Sequence, residues 1–377
     1  MTFALASDAP RAGLARPFAS VEVCGELAAA REAWAELGAM AGAYQSYGFA
    51  EACAAAFGGR LAIVVARDEA ERPAALLPLR LVRLGPLTVA GFLGGSWANY
   101  HMGLFRPGLP WAADDVAALL REAGVLARAD LFAFSSQPAR WEGLDNPLAR
   151  LPHAPAPSPA FASALPREHG DWLDARFSRA SQKKLRKKAR KLEVFGPLAH
   201  VRAATPNEAA RFLDAFLAHK AAQARDRRAR DPFAPPPARA LLGRLAASGA
   251  MEMHALIAGE RIVAAFGALP GGRRLSGLVV SYDGDREVAA GSPGEWLLIE
   301  VVREAIARGF QTFDLGVGES RYKREICETE ESLFDTAFGV TPLGRAAAAA
   351  YLGGRAAMGA VKRRPRLFRW LQRLRGA

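Results

Sequence analysis

A chain of 377 residues with a formal net charge of +12 is longer than one ordinary core needs and predicts two domains. Its 51% hydrophobic and 23% charged content excludes a disordered chain and a bundle of membrane helices. Cys24, Cys53 and Cys327 are odd in number, far apart and without ligand spacing. They give no disulfide framework and no zinc site, and they fit a reducing compartment as small buried residues.

In chain order, residues 1–19 form an Ala- and Pro-rich leader expected to be disordered, without the basic head and apolar run of an export signal. A cytoplasmic protein is therefore expected. Residues 20–151 form a first domain: helices over Glu26–Leu37 and Gln45–Phe57, and a hairpin of Leu61–Ala66 with Ala74–Val82. A helix over 114–128 and a strand over 130–135 complete it. Pro78 inside the second hairpin strand predicts an edge or a bulge, because proline donates no ladder hydrogen bond. Leu84–Phe105 lacks formal charge but holds five glycines, which suits buried strands better than a membrane span.

Residues 152–166, with five prolines, read as a linker. Residues 167–344 then repeat the element order as a second domain: helices over 207–225 and 238–248, a hairpin over Met251–Leu269 and a strand over Leu275–Tyr282. A helix over Glu295–Arg308 and a strand over Thr312–Gly316 follow. Residues 345–377 form a basic helical tail. The fold class is thus α/β (α+β), two tandem domains, each a mixed, mostly antiparallel sheet flanked by helices.

Residues 1–165 carry thirteen arginines, no lysine and fifteen acids, so all surplus positive charge lies beyond them. That half is the natural dock for an anionic group. Arg176–Lys191 holds nine basic residues and no acid, with Phe177, Leu185 and Leu192 as a thin apolar stripe. This predicts an amphipathic helix with its basic face outward. Lys362–Arg375 interleaves arginines with Leu367, Phe368, Trp370 and Leu371. A helix packed on its own domain is expected there, with peripheral contact to the inner membrane face as the alternative. No helix-turn-helix, aromatic platform or zinc pattern supports a nucleic-acid regulator. The six histidines stand singly, so no metal is expected.

The stretch Ser281–Trp296 links a strand to a helix through Gly291, Ser292, Pro293 and Gly294. Small residues there permit close backbone approach, the free N–H groups of a helix start attract an anion, and Arg286 can add a charge-assisted contact. A plain strand-to-helix turn is the alternative. Together with Gln45 before a helix, Ala75-Leu-Leu-Pro-Leu79, Gly94–Tyr100, the basic Lys183–Leu192, Ala264–Gly267 and Phe313-Asp-Leu-Gly316 followed by Tyr322-Lys323, this stretch carries a resemblance. Over roughly residues 40–340 the sequence resembles GNAT-like acyltransferases of the CelD type, associated with cellulose and other polysaccharide synthesis. It is more distantly similar to the FemAB peptidoglycan aminoacyltransferases.

The resemblance implies acyl-CoA as co-substrate and no metal. Its pyrophosphate would lie on the loop of Arg286, Gly291, Ser292 and Gly294, and its thioester would run beside Val279 and Val280. Arg286 stands five residues before Gly291 and Pro293 removes an N–H, which departs from the usual phosphate loop. Attack by an amine or hydroxyl on the thioester would use a backbone N–H to polarise the carbonyl and an acid to protonate the thiolate. Asp314 would orient or deprotonate the acceptor, Tyr322 would be the acid, and Lys323 would hold an anionic group. Gln45, Tyr100, Arg225 and Arg228 would meet the acceptor, a small molecule or glycan precursor. The alternative readings are a tRNA-dependent aminoacyltransferase and a non-catalytic accessory protein.

Overall fold

The computed structural model describes residues 16–38 and 42–362. The first part of the chain runs β1 (Ser20–Cys24), α1 (Arg31–Leu37), α2 (Tyr47–Phe57), β2 (Arg60–Arg67), β3 (Pro73–Leu84), β4 (Leu87–Phe92), β5 (Leu104–Phe105), α3 (Ala113–Ala127) and β6 (Leu131–Pro138). A small hairpin, β7 (Arg140–Trp141) and β8 (Leu144–Asp145), and the strands β9 (His153–Pro155) and β10 (Ala160–Ala164) lead into the second part. That part runs α4 (His169–Arg176), α5 (Arg179–Ala189), β11 (Leu198–Arg202), α6 (Pro206–Asp226), α7 (Pro236–Ala247), β12 (Glu252–Ala258), β13 (Arg261–Gly271), β14 (Arg274–Tyr282), α8 (Arg286–Ala289) and α9 (Pro293–Ala307). The elements β15 (Thr312–Val317), α10 (Arg321–Ile326), β16 (Thr329–Glu331), β17 (Leu333–Gly339) and α11 (Pro342–Lys362) close the described chain.

Two mixed sheets result, ordered β1-β2-β3-β4-β6-β17-β9, with β5 on β3, and β11-β12-β13-β14-β15-β10-β16. Each is antiparallel except for one parallel pair at the equivalent place, β4 with β6 and β14 with β15. Beyond that pair the chain exchanges strands. The first part lends β10 to the second sheet, and the second part returns β17 to the first.

This exchange corrects the expected boundaries. Residues 152–166 are not a linker: β9 and β10 are sheet members, and Ala160, Phe161 and Ala162 are buried. Prolines at strand ends are compatible with ladders that leave those N–H groups unused. Residues 167–344 are likewise not a self-contained unit, because β17 completes the first sheet. Of the leader, residues 1–15 lie outside the described residues, while Phe18 is buried and stacks on Trp111. Pro78 sits at neither an edge nor a bulge; β3 is central. The pairing of β3 with β4 begins at Leu79 and with β5 ends at Leu76, so the missing N–H falls at the break between those two partners. Of the tail, α11 reaches Lys362, and 363–377 lie outside the described residues.

Local signals place the helices that matter. Thr205 and Glu208 cap α6 reciprocally, Pro206 opens it, and Ala209, Phe212, Leu213 and Phe216 face inward at helical spacing. Pro293 starts α9, which buries Leu297, Leu298, Val301, Val302 and Ala305. Helix α6 packs on one face of the second sheet and α9 on the other, in separate core clusters. The α6 cluster also takes in Tyr44, Phe49 and Tyr100, so the two parts of the molecule share one continuous core. Phe177, Leu185 and Leu192 are buried, as the apolar stripe predicts. Cys53 and Cys327 are buried and Cys24 half-buried, all as free thiols. Among the described residues no helix is long and apolar enough to cross a membrane.

Candidate active site

Strands β14 and β15 pair at Arg274 with Thr312, Leu275 with Phe313 and Ser276 with Asp314, and then part. The cause is a pair of bulges at the same level. Against β13, Val279 stands opposite Gly267 and Gly277 opposite Ala268, leaving Leu278 extra. Against β10, Gly316 stands opposite Phe161 and Asp314 opposite Ala162, leaving Leu315 extra. A bulge bends its strand and frees ladder groups, and two facing bulges turn the strands away from each other.

Asp314 fastens the last paired level. It is fully buried, accepts from Ser276 Oγ at 2.6 Å and from the Gly316 N–H at 3.0 Å, and lies 3.5 Å from Arg274 Nη1. Burial raises its carboxyl from 3.8 to about 6, against the pull of Arg274. Arg274 also forks onto Glu331 at 2.9 and 2.7 Å and lies over the Trp141 ring at 4.4 Å, while Tyr100 Oη donates to Glu331 at 2.9 Å.

Asn99, brought by the loop before β5, enters the gap just past that level. Its Oδ1 accepts from the Val317 N–H of β15 at 3.1 Å, and its Nδ2 donates to the Gly277 carbonyl of β14 at 3.1 Å and to Tyr44 Oη at 2.6 Å. One carboxamide thus takes ladder partners on both diverging strands and sets their separation. Gly316, at φ 68°, is required there: a Cβ would stand 2.1 Å from Asn99 Nδ2.

Towards the strand ends the gap opens into a cleft of about 560 Å³. Val280 and Tyr282 of β14, and Ser320, Tyr322 and Glu325 at and in α10, line it between the strands. Ser292, Pro293, Gly294, Glu295 and Leu298 of the α9 start bound it on one face of the sheet, and Lys220 and Gln223 of α6 with Arg227 just past its end on the other. The first-turn N–H groups of Gly294 and Glu295 have no intrahelical partner, so the positive end of α9 faces the cleft. Lys188 of α5 adds charge there, donating to Ser292 Oγ at 3.0 Å and lying 3.6 Å from Glu295. Burial raises the Tyr322 phenol, and burial followed by the Arg227 charge lowers the Lys220 amine.

The structure brings Val280, Ser292, Gly294 and Tyr322 of the expected residues to the cleft. The rest stand elsewhere. Val279 points into the α6 core, as strand alternation requires, and Arg286 is exposed on α8. Gly291 is packed against Leu192, whose Cδ2 would lie 2.5 Å from an added Cβ. Asp314 ties strands, and Lys323 Nζ donates to the carbonyls of Gly316 and Val317 at 3.2 and 2.8 Å. Gln45 donates to the Tyr100 carbonyl at 2.9 Å in the shared core, and Tyr100 is itself fully buried. Arg225 and Arg228 are exposed on a face of α6 and its end that does not line the cleft. Lys220 and Gln223 of α6 and Arg227 just past its end, at helical spacing, line the cleft where Arg225 and Arg228 were expected. That spacing was the signal available in the sequence.

The equivalent gap in the first sheet is filled by its own chain. β4 and β6 pair only at Val89 with Leu131 and Ala90 with Phe132. His101 then donates its N–H to the Ser136 carbonyl at 3.1 Å, and its buried ring stacks on Phe92.

Comparison with known proteins agrees with this geometry. Residues 179–324, which hold β14, α9, β15 and all the cleft-lining residues but Glu325, match the family model described as an acetyltransferase (GNAT) domain. A search of curated protein sequences finds no match. Among solved structures, FemX is similar with a TM-score of 0.60 at 10% identity, over 84% of this chain and 97% of its own. A conserved protein of unknown function from Bacteroides thetaiotaomicron gives 0.54 at 11% identity, over 84% and 99%. The C-terminal domain of an Agrobacterium fabrum protein named for lysylphosphatidylglycerol synthesis gives 0.51 at 12%, over 87% and 96%. At such identities the likeness speaks for the fold alone. The chain is therefore an α/β protein of two mixed, mostly antiparallel sheets, of which residues 179–324 are similar to a GNAT acetyltransferase domain.

Proposed function

We propose that the chain transfers an acyl group from acyl-CoA to an amine or hydroxyl acceptor, with the thioester between the parted ends of β14 and β15. The observation that carries this reading is the end of β14–β15 pairing at Ser276 and Asp314, beside an open α9 start with Lys188 at its edge. A helix start suits the pyrophosphate, and the strand groups freed at the Leu278 bulge suit polarisation of the thioester carbonyl.

The acceptor would approach from the α6 face. There Lys220, its amine held low by desolvation, would take the proton of the attacking group, and Arg227 would hold a carboxylate or phosphate on it. The carbonyl carbon gains the bond to the acceptor, the C–S bond breaks, and the Tyr322 phenol, kept protonated by burial, would protonate the departing sulfur. A small molecule or glycan precursor, as in polysaccharide or cell-envelope synthesis, fits such an acceptor.

A second reading takes the acyl group from aminoacyl-tRNA. The exposed Lys183, Lys184 and Lys187 of α5 favour it, because they form a basic face that runs up to Lys188 at the cleft. Thiol release from acetyl- and longer acyl-CoA, measured with pooled amine and sugar acceptors, tests the first reading. Acceptor-dependent release that survives ribonuclease supports it. No release, with ribonuclease-sensitive transfer from charged tRNA, replaces it with the second.

A further inference from the structure

Away from the cleft, three donor atoms from three elements converge at the edge of the second sheet. His200 lies on the edge strand β11 and His254 on its neighbour β12, placed diagonally because His200 pairs with Leu256 and His254 with Arg202. Glu304 reaches them from α9. His200 Nε2 and His254 Nδ1 are 3.1 Å apart, and Glu304 Oε2 lies 3.8 and 3.9 Å from them.

The two ring nitrogens are within hydrogen-bond distance of each other, and the carboxylate oxygen is beyond such reach of both. The point in their plane that is equidistant from the three atoms lies about 2.1 Å from each, which is the zinc–nitrogen and zinc–oxygen bond length. The surroundings favour the same use. Glu304 commits its other oxygen to Arg202 at 2.5 Å, leaving Oε2 for the rings. His254 is fully buried, and its far nitrogen, Nε2, has no hydrogen-bond partner but stands 3.8 Å from Glu252, which Arg308 grips at 2.6 Å through both oxygens. Metal-ligating histidines commonly give their second nitrogen to a carboxylate, and Glu252, though beyond hydrogen-bond distance, is the anchored carboxylate nearest to it.

We propose that His200, His254 and Glu304 bind a divalent transition metal ion, zinc by donor type, with a fourth position open to water. The ion clips edge strand β11 and β12 to α9 about 16 Å along the helix from its start at the cleft. It thereby steadies the helix that bounds the site, and it stands independently of which acyl donor the cleft takes.

The test uses the full chain freed of metal with a chelator, titrated with Co2+ as a spectroscopic probe and with Zn2+ by calorimetry. One equivalent of Co2+ with the intense visible bands of four-coordination, displaced by Zn2+, is expected, together with a raised thermal midpoint. His200→Ala and Glu304→Gln should each weaken binding at least tenfold and remove the thermal shift. Absence of stoichiometric binding overturns the proposal. So does unchanged affinity in a folded His200→Ala; if that variant does not fold, unchanged affinity in Glu304→Gln, which keeps the side-chain volume, overturns it instead.

Discussion

Asn99 holds the parted strands of the second sheet from a loop of the first, and its removal gives a prediction with a worked magnitude. Asn99→Ala deletes the hydrogen bonds to the Val317 N–H, the Gly277 carbonyl and Tyr44 Oη. At about 1 kcal/mol net for each bond, the loss of stability is about 3 kcal/mol. The smaller side chain leaves room for water to reach the orphaned groups. Asn99→Leu fills the space with carbon and strands all three, so its cost should exceed that of alanine by a further ~1–2 kcal/mol. Denaturant titration followed by tryptophan fluorescence measures both variants. The order wild type, alanine, leucine is expected, with acyl-CoA affinity falling in the same order as the gap loses its spacer. Losses below about 0.5 kcal/mol in both variants, or leucine as stable as wild type, would refute the bridging role.

Four further outcomes follow from the geometry. Tyr322→Phe should lower kcat about 100-fold with KM little changed, and Lys220→Met should remove the acidic limb of the pH–rate profile; steady-state kinetics against pH checks both. Gly291→Val should destabilise the fold by ~1–3 kcal/mol through collision with Leu192, measured by thermal unfolding, and a variant of native stability would contradict that packing. Lys323 is pushed down from 10.5 to about 8, chiefly by burial. Between those values the unfolded chain holds the proton that the folded chain has lost. Stability should therefore rise with pH across the window, by about 3 kcal/mol, while the penalty is fully present below pH 8. Lys323→Met should lack this rise, so stability curves of the two proteins that run parallel from pH 7.5 to 10.5 would overturn it.

Much of the fold was readable because its signals are local. The hairpins of β2 with β3 and β12 with β13, the amphipathic body of α9 and the buried stripe of α5 all follow from periodicity and turn chemistry within a few residues. The strand exchange was not, since what makes β10 and β17 partners of the opposite sheets is pairing across the whole chain, and prolines around β10 read locally as a linker. The same limit applies to the site. Ser292, Gly294 and Tyr322 lie in the segments that form the cleft, but the two bulges that open it are relations between strands. Asn99 looks like any loop asparagine until the first half is docked on the second. The resemblance points to Asp314 and Lys323 as catalytic groups, yet their partners are the strands themselves. The three donors at the sheet edge come from β11, β12 and α9, so no spacing in the sequence could announce them.

The proposed transfer requires a thioester-bearing nucleotide in the gap beside the α9 start. Calorimetric titration of the full chain with acetyl-CoA and a longer acyl-CoA, beside Gly294→Leu, tests this most directly, because a larger side chain at 294 projects from the helix start that lines the cleft. One equivalent bound by the native chain, and at least tenfold weaker binding by the variant, is predicted. Equal binding by both proteins, or no binding of either ligand by the native chain, would contradict it.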